Sequence, residues 1–192
     1  SYVLRQGRLT KYQSAAFDKF SKEFIIPFQN KKINFDSIFS TTKKKIILEI
    51  GFGMGDTTAK IASNSSDFNF IGIEVHSPGV GNLLNRINEK EIKNLRIIQH
   101  DAVEVLEHMI PKSSLDGVHI FFPDPWHKKK HNKRRLIQSD FIETIGKKIK
   151  KNGYVHISTD WEDYALCILD AFKMTSNFSL KTSEFFTKPD HR

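Results

Sequence analysis

Five carboxylates each stand at the end of a short apolar run: Glu49 in Leu48-Glu49-Ile50, Glu74 in Ile73-Glu74-Val75, Asp101 after His100, Asp124 between Pro123 and Pro125, and Asp160 after Thr159. Taken singly, Asp101 or Asp160 reads as a helix cap, Asp124 as a turn residue and Glu49 as a structural strand-end residue. Taken together they describe an acidic rim. Glu49 runs straight into Gly51-Phe52-Gly53-Met54-Gly55, where Gly51, Gly53 and Gly55 carry no side chain to block the close approach of a ligand to the backbone.

The ligand of such a loop can be narrowed by charge. A nucleoside triphosphate loop needs a Lys-Ser/Thr pair, and here Gly55 is followed by Asp56-Thr57-Thr58. A dinucleotide is the closer rival, because Glu74 lies about 20 residues beyond the loop, where a carboxylate takes ribose hydroxyls. The third glycine of that pattern would fall at position 56, however, and Asp56 stands there with Glu49 at the loop entrance. Placing a pyrophosphate among carboxylates is unfavourable in a low dielectric. S-adenosylmethionine carries no phosphate but has a sulfonium, an ammonium, a ribose diol and an adenine amine. Glu49 suits the ammonium, Glu74 the ribose hydroxyls and Asp101 the amine.

The second chemical signal is cationic. Lys plus Arg number 30 against 22 Asp plus Glu, for a net charge of +8, a balance that favours polyanionic partners. Six of those cations, Lys128, Lys129, Lys130, Lys133, Arg134 and Arg135, fall within the nine residues 127–135, together with His127, His131 and Asn132. An isolated run of this kind is most often a solvated loop. This one follows an apolar run and Pro123-Asp124-Pro125-Trp126, which ties it to a strand exit. Trp126 is open to two uses, stacking on a base or covering the core. His127 and His131 at i, i+4 could bind a metal, but Cys167 and His119 add no tight cluster and the lysines oppose a dication; no metal is expected.

These residues need elements to hold them. Runs 46–50, 68–75, 95–99, 115–122 and 154–159 are rich in Ile, Val and Phe and read as strands. Segments 56–62, 79–89, 102–109, 133–150 and 161–174 carry apolar positions at helical spacing, and Gly153 reads as the restart of the sheet after a lysine-rich helix end. Alternating strands and helices predict an α/β fold with a doubly wound, mostly parallel sheet, whose ligands bind beyond the carboxyl ends of the strands. Residues 1–42 are less regular and read as a segment that wraps the core or contacts a ligand, ahead of a main domain over 43–192. With 192 residues, 39% apolar and 27% charged, the chain has the balance of a folded domain. No apolar run approaches the roughly 20 residues of a membrane span. The first residues show no secretory signal and Cys167 has no partner cysteine, which reads as a cytoplasmic protein. The pattern is compatible with a monomer or a homodimer.

The string Phe121-Phe122-Pro123-Asp124-Pro125-Trp126-His127-Lys128-Lys129-Lys130-His131-Asn132-Lys133-Arg134-Arg135 closely resembles the tRNA (guanine-N7-)-methyltransferase family of class I S-adenosylmethionine-dependent enzymes. The resemblance extends to Arg5-Gln6-Gly7-Arg8-Leu9-Thr10, the glycine loop, Ile73-Glu74-Val75, Asp101-Ala102 and Ser158-Thr159-Asp160-Trp161. It implies a Rossmann-like sheet, cofactor contacts at Glu49, Glu74, Asp101 and Asp124, and a catalytic role for Asp124. It further implies substrate contacts at Lys128 and Asp160 and an RNA-contacting segment of Lys130, His131, Asn132, Lys133, Arg134 and Arg135. The partner it implies is tRNA, methylated in the variable loop. That family continues with a Thr-x-Phe/Tyr-Glu stretch, whereas this sequence ends at Lys188-Pro189-Asp190-His191-Arg192, so further substrate contacts are expected outside it. Guanine N7 has an in-plane lone pair and needs no deprotonation, so positioning and electrostatics suffice for its methylation. Two other readings are an NAD-dependent dehydrogenase, opposed by Asp56 and Glu49 at the loop, and a non-catalytic RNA-binding module, opposed by the presence of Glu49, Glu74 and Asp101 together.

Overall fold

The chain alternates strand and helix around one sheet in a computed structural model, which describes residues 7–39 and 44–181. Arg5, Gln6, Lys43 and the terminal stretch 182–192 lie outside the described residues. In chain order the elements are α1 (Lys11–Phe24), α2 (Phe35–Ile38), β1 (Lys45–Ile50), α3 (Asp56–Ser63), β2 (Phe68–Ile73), α4 (Ser77–Glu89), β3 (Leu95–Ile98), α5 (Ala102–His108), β4 (Leu115–Phe121), a 3-10 helix (Lys129–Arg134), α6 (Ser139–Lys148), β5 (Ile149–Ser158) and α7 (Glu162–Lys173).

The five strands lie in the order β3-β2-β1-β4-β5, and every pairing is parallel. The sheet is therefore the doubly wound α/β form the alternation predicts. Strand residues alternate between two buried layers, as a sheet covered on both faces requires. Ile46, Leu48 and Ile50 of β1 join Val118 and Ile120 of β4 against Val105, Phe141, Ile142, Ile145 and Ile168 of α5, α6 and α7. Ile47, Phe70 and Ile97 face the opposite layer of Ala16, Ala59, Val80, Leu83 and Ile87 from α1, α3 and α4. Because the chain leaves β1 toward β2 on one side and β4 lies on the other, the direction of winding reverses between β1 and β4. That switch point opens a crevice at the carboxyl ends of these two strands.

Three sequence expectations are corrected. Much of the segment read as irregular before residue 43 is helical: α1 spans 14 residues, capped by Thr10, whose side chain accepts the Gln13 amide while the Gln13 side chain accepts the Thr10 amide. That capping box was legible as Thr10-x-x-Gln13, and Ala16, Phe20 and Phe24 at i, i+4, i+8 supply the apolar stripe. The helix expected over 133–150 begins only at Ser139, because Lys129–Arg134 forms the 3-10 helix and Arg135 is extended, at φ −56° and ψ 134°. Gly153 does not restart the sheet; β5 begins at Ile149, the bulge residue with positive φ is Asn152 at 67°, and Gly153 lies inside the strand. Glycine is needed there because a Cβ would stand 2.5 Å from Ile149 Cγ2 and 2.9 Å from the Asp116 carbonyl oxygen. No helix among the described residues is long and apolar enough to cross a membrane.

Candidate active site

The loop leaving β1 is held in an unusual backbone conformation: Gly51, Gly53 and Gly55 all have positive φ, at 73°, 59° and 77°. A side chain disfavours that region by about 1–2 kcal/mol per residue. At Gly51 and Gly53 an added Cβ would meet nothing within 4 Å, so these two glycines border open space on the rim. The opposite side of the loop is tightly backed. Gly79, in the first turn of α4, sits so close that a Cβ there would stand 2.0 Å from the Gly53 carbonyl oxygen. Asn82 of the same helix donates its amide to the Met54 carbonyl at 2.6 Å. Sequence reading marked Gly79 only as a helix start; the close backbone approach that requires it is visible only in three dimensions.

Glu74, at the end of β2, accepts three backbone N–H groups: Gly53 at 2.8 Å on one oxygen, and Val75 at 2.7 Å and His76 at 3.0 Å on the other. The carboxylate thus locks the glycine loop to the second strand exit. Asp101 caps α5, its Oδ1 accepting the amides of Val103 at 2.9 Å and Glu104 at 3.2 Å. The capping role open to Asp101 from sequence is therefore real, and its second oxygen takes neither of those bonds.

Glu49 differs from both. It is 3% exposed, and burial pushes its carboxyl up to about 7, with the Thr58 hydroxyl opposing. Its in-register neighbours are Gly72 in β2 and His119 in β4. His119 is itself held neutral, lowered to about 4 by burial and then by His156. No cation pairs with Glu49 among the described residues. A desolvated carboxyl without a counter-charge, one residue before a glycine loop facing open space, fits a ligand that brings its own positive group. The residues present accordingly fit S-adenosylmethionine: Glu49 for the ammonium, Glu74 for a diol and Asp101 for an amine.

Across the switch point, Phe122 continues the ladder by donating its amide to the Ser158 carbonyl at 2.8 Å, which sets the exits of β4 and β5 side by side. Asp124 stands exposed on the loop beyond. Two bulky residues flanking Pro123-Asp124-Pro125 have positive φ, Phe122 at 49° and Trp126 at 47°. Such strain, on the order of 1–3 kcal/mol per residue, persists where surrounding contacts impose it and is common at functional loops. Trp126 is half-buried, with the Arg134 guanidinium 5.1 Å from its ring centroid and the His131 ring against its edge. The indole thereby packs against two members of the basic segment. Lys128 and Asp160 are both exposed, and the loops carrying them meet where His127 packs edge-on against Trp161, 4.2 Å between ring centroids.

The basic run divides into two groups. Lys128, Lys129, Lys130, Lys133 and Arg134 are exposed, while His131 and Asn132 are half-buried, the Asn132 amide facing the Trp126 and Lys128 carbonyls at 2.9 and 3.2 Å. Arg135, which the sequence groups with the RNA-contacting residues, departs from its neighbours: it is 4% exposed. Its guanidinium donates to the Pro125 carbonyl at 2.8 Å, to Cys167 Sγ at 3.0 Å and to Asp163 Oδ2 at 2.6 Å. All three nitrogens are engaged within the protein. Two clefts elsewhere, one beside Gly146, Asn152 and Phe178 and one beside Ile33, Asn69 and Lys150, border neither the glycine loop nor Asp124.

A family model described as putative methyltransferase matches residues 43–191. Over all 192 residues the chain is 52% identical to a tRNA (guanine-N(7)-)-methyltransferase of Methylobacillus flagellatus and covers 81% of that protein. It is 50% identical to the tRNA (guanine-N(7)-)-methyltransferase of Chromobacterium violaceum, covering 84% of it. Among solved structures, a precorrin-6y C5,15-methyltransferase from Geobacter metallireducens aligns over 91% of this chain and 82% of its own, with a TM-score of 0.55 at 11% identity. A 30S ribosomal A1408 methyltransferase from an uncultured bacterium aligns over 74% and 69%, with a TM-score of 0.53 at 20% identity. Those two likenesses concern the fold. Identity at about half of all positions, extending over the whole chain and most of each relative, goes further: the chain belongs to the tRNA (guanine-N7-)-methyltransferase family.

Proposed function

We propose that this protein transfers a methyl group from S-adenosylmethionine to N7 of a guanine in the variable loop of tRNA, and that it does so in the cytoplasm. The observation that carries the reading is the pairing across the switch point of an open glycine cradle beside a buried, unpaired Glu49 with Asp124 on a strained loop one strand away. When bound, the cofactor supplies an electrophilic methyl group on a sulfonium sulfur. Glu49 holds the ammonium, Glu74 accepts from the ribose diol and the second oxygen of Asp101 accepts from the adenine amine. Asp124 accepts from the N1–H and amino edge of guanine, which orients N7 and favours the purine as positive charge develops on it. Lys128 and Asp160 flank the nucleotide, a reading supported by the contact between their chain neighbours His127 and Trp161. An A-form helix hides N7 in a groove too narrow for side chains, so the base is presented from a loop or turned out of its stack. The exposed lysines grip the flanking phosphates, and the segment ahead of residue 43 adds a further RNA contact.

Incubation with unmodified tRNA and methyl-labelled cofactor, followed by aniline cleavage, is expected to break the RNA at one variable-loop guanosine. Cleavage elsewhere would overturn the site, and absence of label in RNA would overturn the reaction. Changing Lys129, Lys130 and Lys133 together to Ala is expected to lower tRNA affinity and to flatten the log–log salt dependence of binding by about 2. An unchanged slope would remove these lysines from the RNA interface.

Glu49 adds a pH signature. Below about 7 its carboxyl is protonated in the unliganded protein, and only the ionised form attracts an ammonium. Cofactor affinity is therefore expected to rise about tenfold from pH 5.5 to pH 7, and Glu49→Gln to lose that rise. The same shift acts on stability with the opposite sign. The unfolded carboxyl ionises first, so unliganded protein loses up to about 3 kcal/mol as pH rises from roughly 4.5 to 7. Isothermal titration and thermal melts across that range check both.

A further inference from the structure

We infer that Arg135 is a positioning residue for methyl transfer, a brace that sets the Asp124 loop against the loop carrying Asp160, and not a phosphate ligand; this rests on the reading of Asp124 above. The basic run makes a phosphate contact the obvious assignment, yet the geometry opposes it. The Arg135 side chain is 4% exposed and its cation lies 4.8 Å from the Tyr164 ring centroid. Its Nε donates to the carbonyl of Pro125, the residue after Asp124. Its two terminal nitrogens reach Cys167 and Asp163, both on α7. That helix begins two residues after Asp160. A second strut runs in parallel, the Ile137 amide donating to the Tyr164 hydroxyl at 3.1 Å. One planar guanidinium with fixed donor directions thus joins the exit of β4 to the helix that follows β5, a task a lysine ammonium, with its single nitrogen, cannot perform.

The brace predicts a separation of effects that a phosphate contact does not. Arg135→Lys keeps the charge, which is all a phosphate contact needs, but loses the fork. It is expected to lower kcat on the order of 100-fold, as small misplacements of reacting groups do, with tRNA Kd and its salt slope unchanged. Because a lysine buried at this position can also destabilise the fold, Asp163→Ala provides the second arm. Asp163 is 64% exposed, and its loss removes a negative charge, so a purely electrostatic role would leave tRNA binding unchanged or tighter without slowing turnover. The brace instead requires kcat to fall at least about tenfold, measured at a temperature where the variant is fully folded, because loss of the acid also leaves a buried cation uncompensated. Glu162→Ala, at an exposed acid in the same turn of α7 with no hydrogen bond or ion pair to Arg135 among the described residues, keeps wild-type kcat. Wild-type kcat in Asp163→Ala, or weakened tRNA binding with a shallower salt slope in Arg135→Lys, would overturn the inference. Asp124→Ala assayed alongside keeps the two claims apart: full activity in that variant defeats the role given to Asp124, whatever the Arg135 variants do.

Discussion

Asp124→Ala is expected to reduce the single-turnover rate of methyl transfer by about 100- to 1000-fold, the range seen when one preorganised electrostatic partner of a transition state is removed. Affinity for tRNA is expected to change by less than about twofold, since one exposed loop carboxylate contributes little to a contact dominated by phosphates. Stability should not fall. Asp124 is exposed and forms no ion pair among the described residues, and the neighbouring backbone at Phe122 and Trp126 remains constrained by its own contacts. Asp124→Asn separates the two contributions of the side chain. It keeps an acceptor oxygen but not the charge, so activity close to wild type would mean that orientation of the guanine edge dominates. Equal losses of rate and tRNA affinity in the alanine variant would contradict a role centred on the reaction.

Gly79→Ala is expected to act on cofactor binding from behind the glycine loop. The new methyl would stand 2.0 Å from the Gly53 carbonyl oxygen, and the obstructing atom is backbone, which cannot rotate away like the end of a side chain. Either α4 retreats or the loop moves outward. Overpacking of this kind costs about 1–3 kcal/mol. The larger effect falls on the ligand, because moving Gly53 breaks the hydrogen bond its N–H donates to the Glu74 carboxylate and displaces the backbone that borders the open crevice. Affinity for S-adenosylhomocysteine, measured by isothermal titration, should drop more than about tenfold, roughly 1.4 kcal/mol, while the basic segment still binds tRNA. Unchanged cofactor affinity would show that the loop tolerates displacement and that Gly53 does not set the site.

Much of this architecture is legible in the linear chain because local rules dominate it. The strands at 46–50, 68–73 and 95–98 are continuous Ile- and Phe-rich runs, and only a parallel sheet covered on both faces buries such runs completely. The glycine loop and the five rim carboxylates announce themselves by type and position. Where reading the sequence failed, a non-local contact overrode a local preference. The apolar stripe of α6 suggests a helix starting near residue 133, but Arg135 is pulled into an extended conformation by acceptors on α7 that are 28 and 32 residues away. Gly153 looks like a helix terminator, yet its lack of a side chain is required by the Asp116 carbonyl oxygen of a neighbouring strand.

The amino-acid sequence by itself determined the fold class and the family, and it marked the carboxylates at the strand ends, since periodicity, residue type and contiguous motifs survive in one dimension. Tertiary structure decided which members of each motif are buried, which are hydrogen-bonded within the protein and which stand in solvent. It made Glu49 a desolvated, unpaired carboxyl while binding Glu74 to three amides and Asp101 to a helix end, and it turned Arg135 inward while its basic neighbours remained in solvent. The physical reason is that charge and donor capacity belong to the residue, whereas desolvation and partner geometry belong to the surroundings. Those surroundings are assembled from segments distant along the chain.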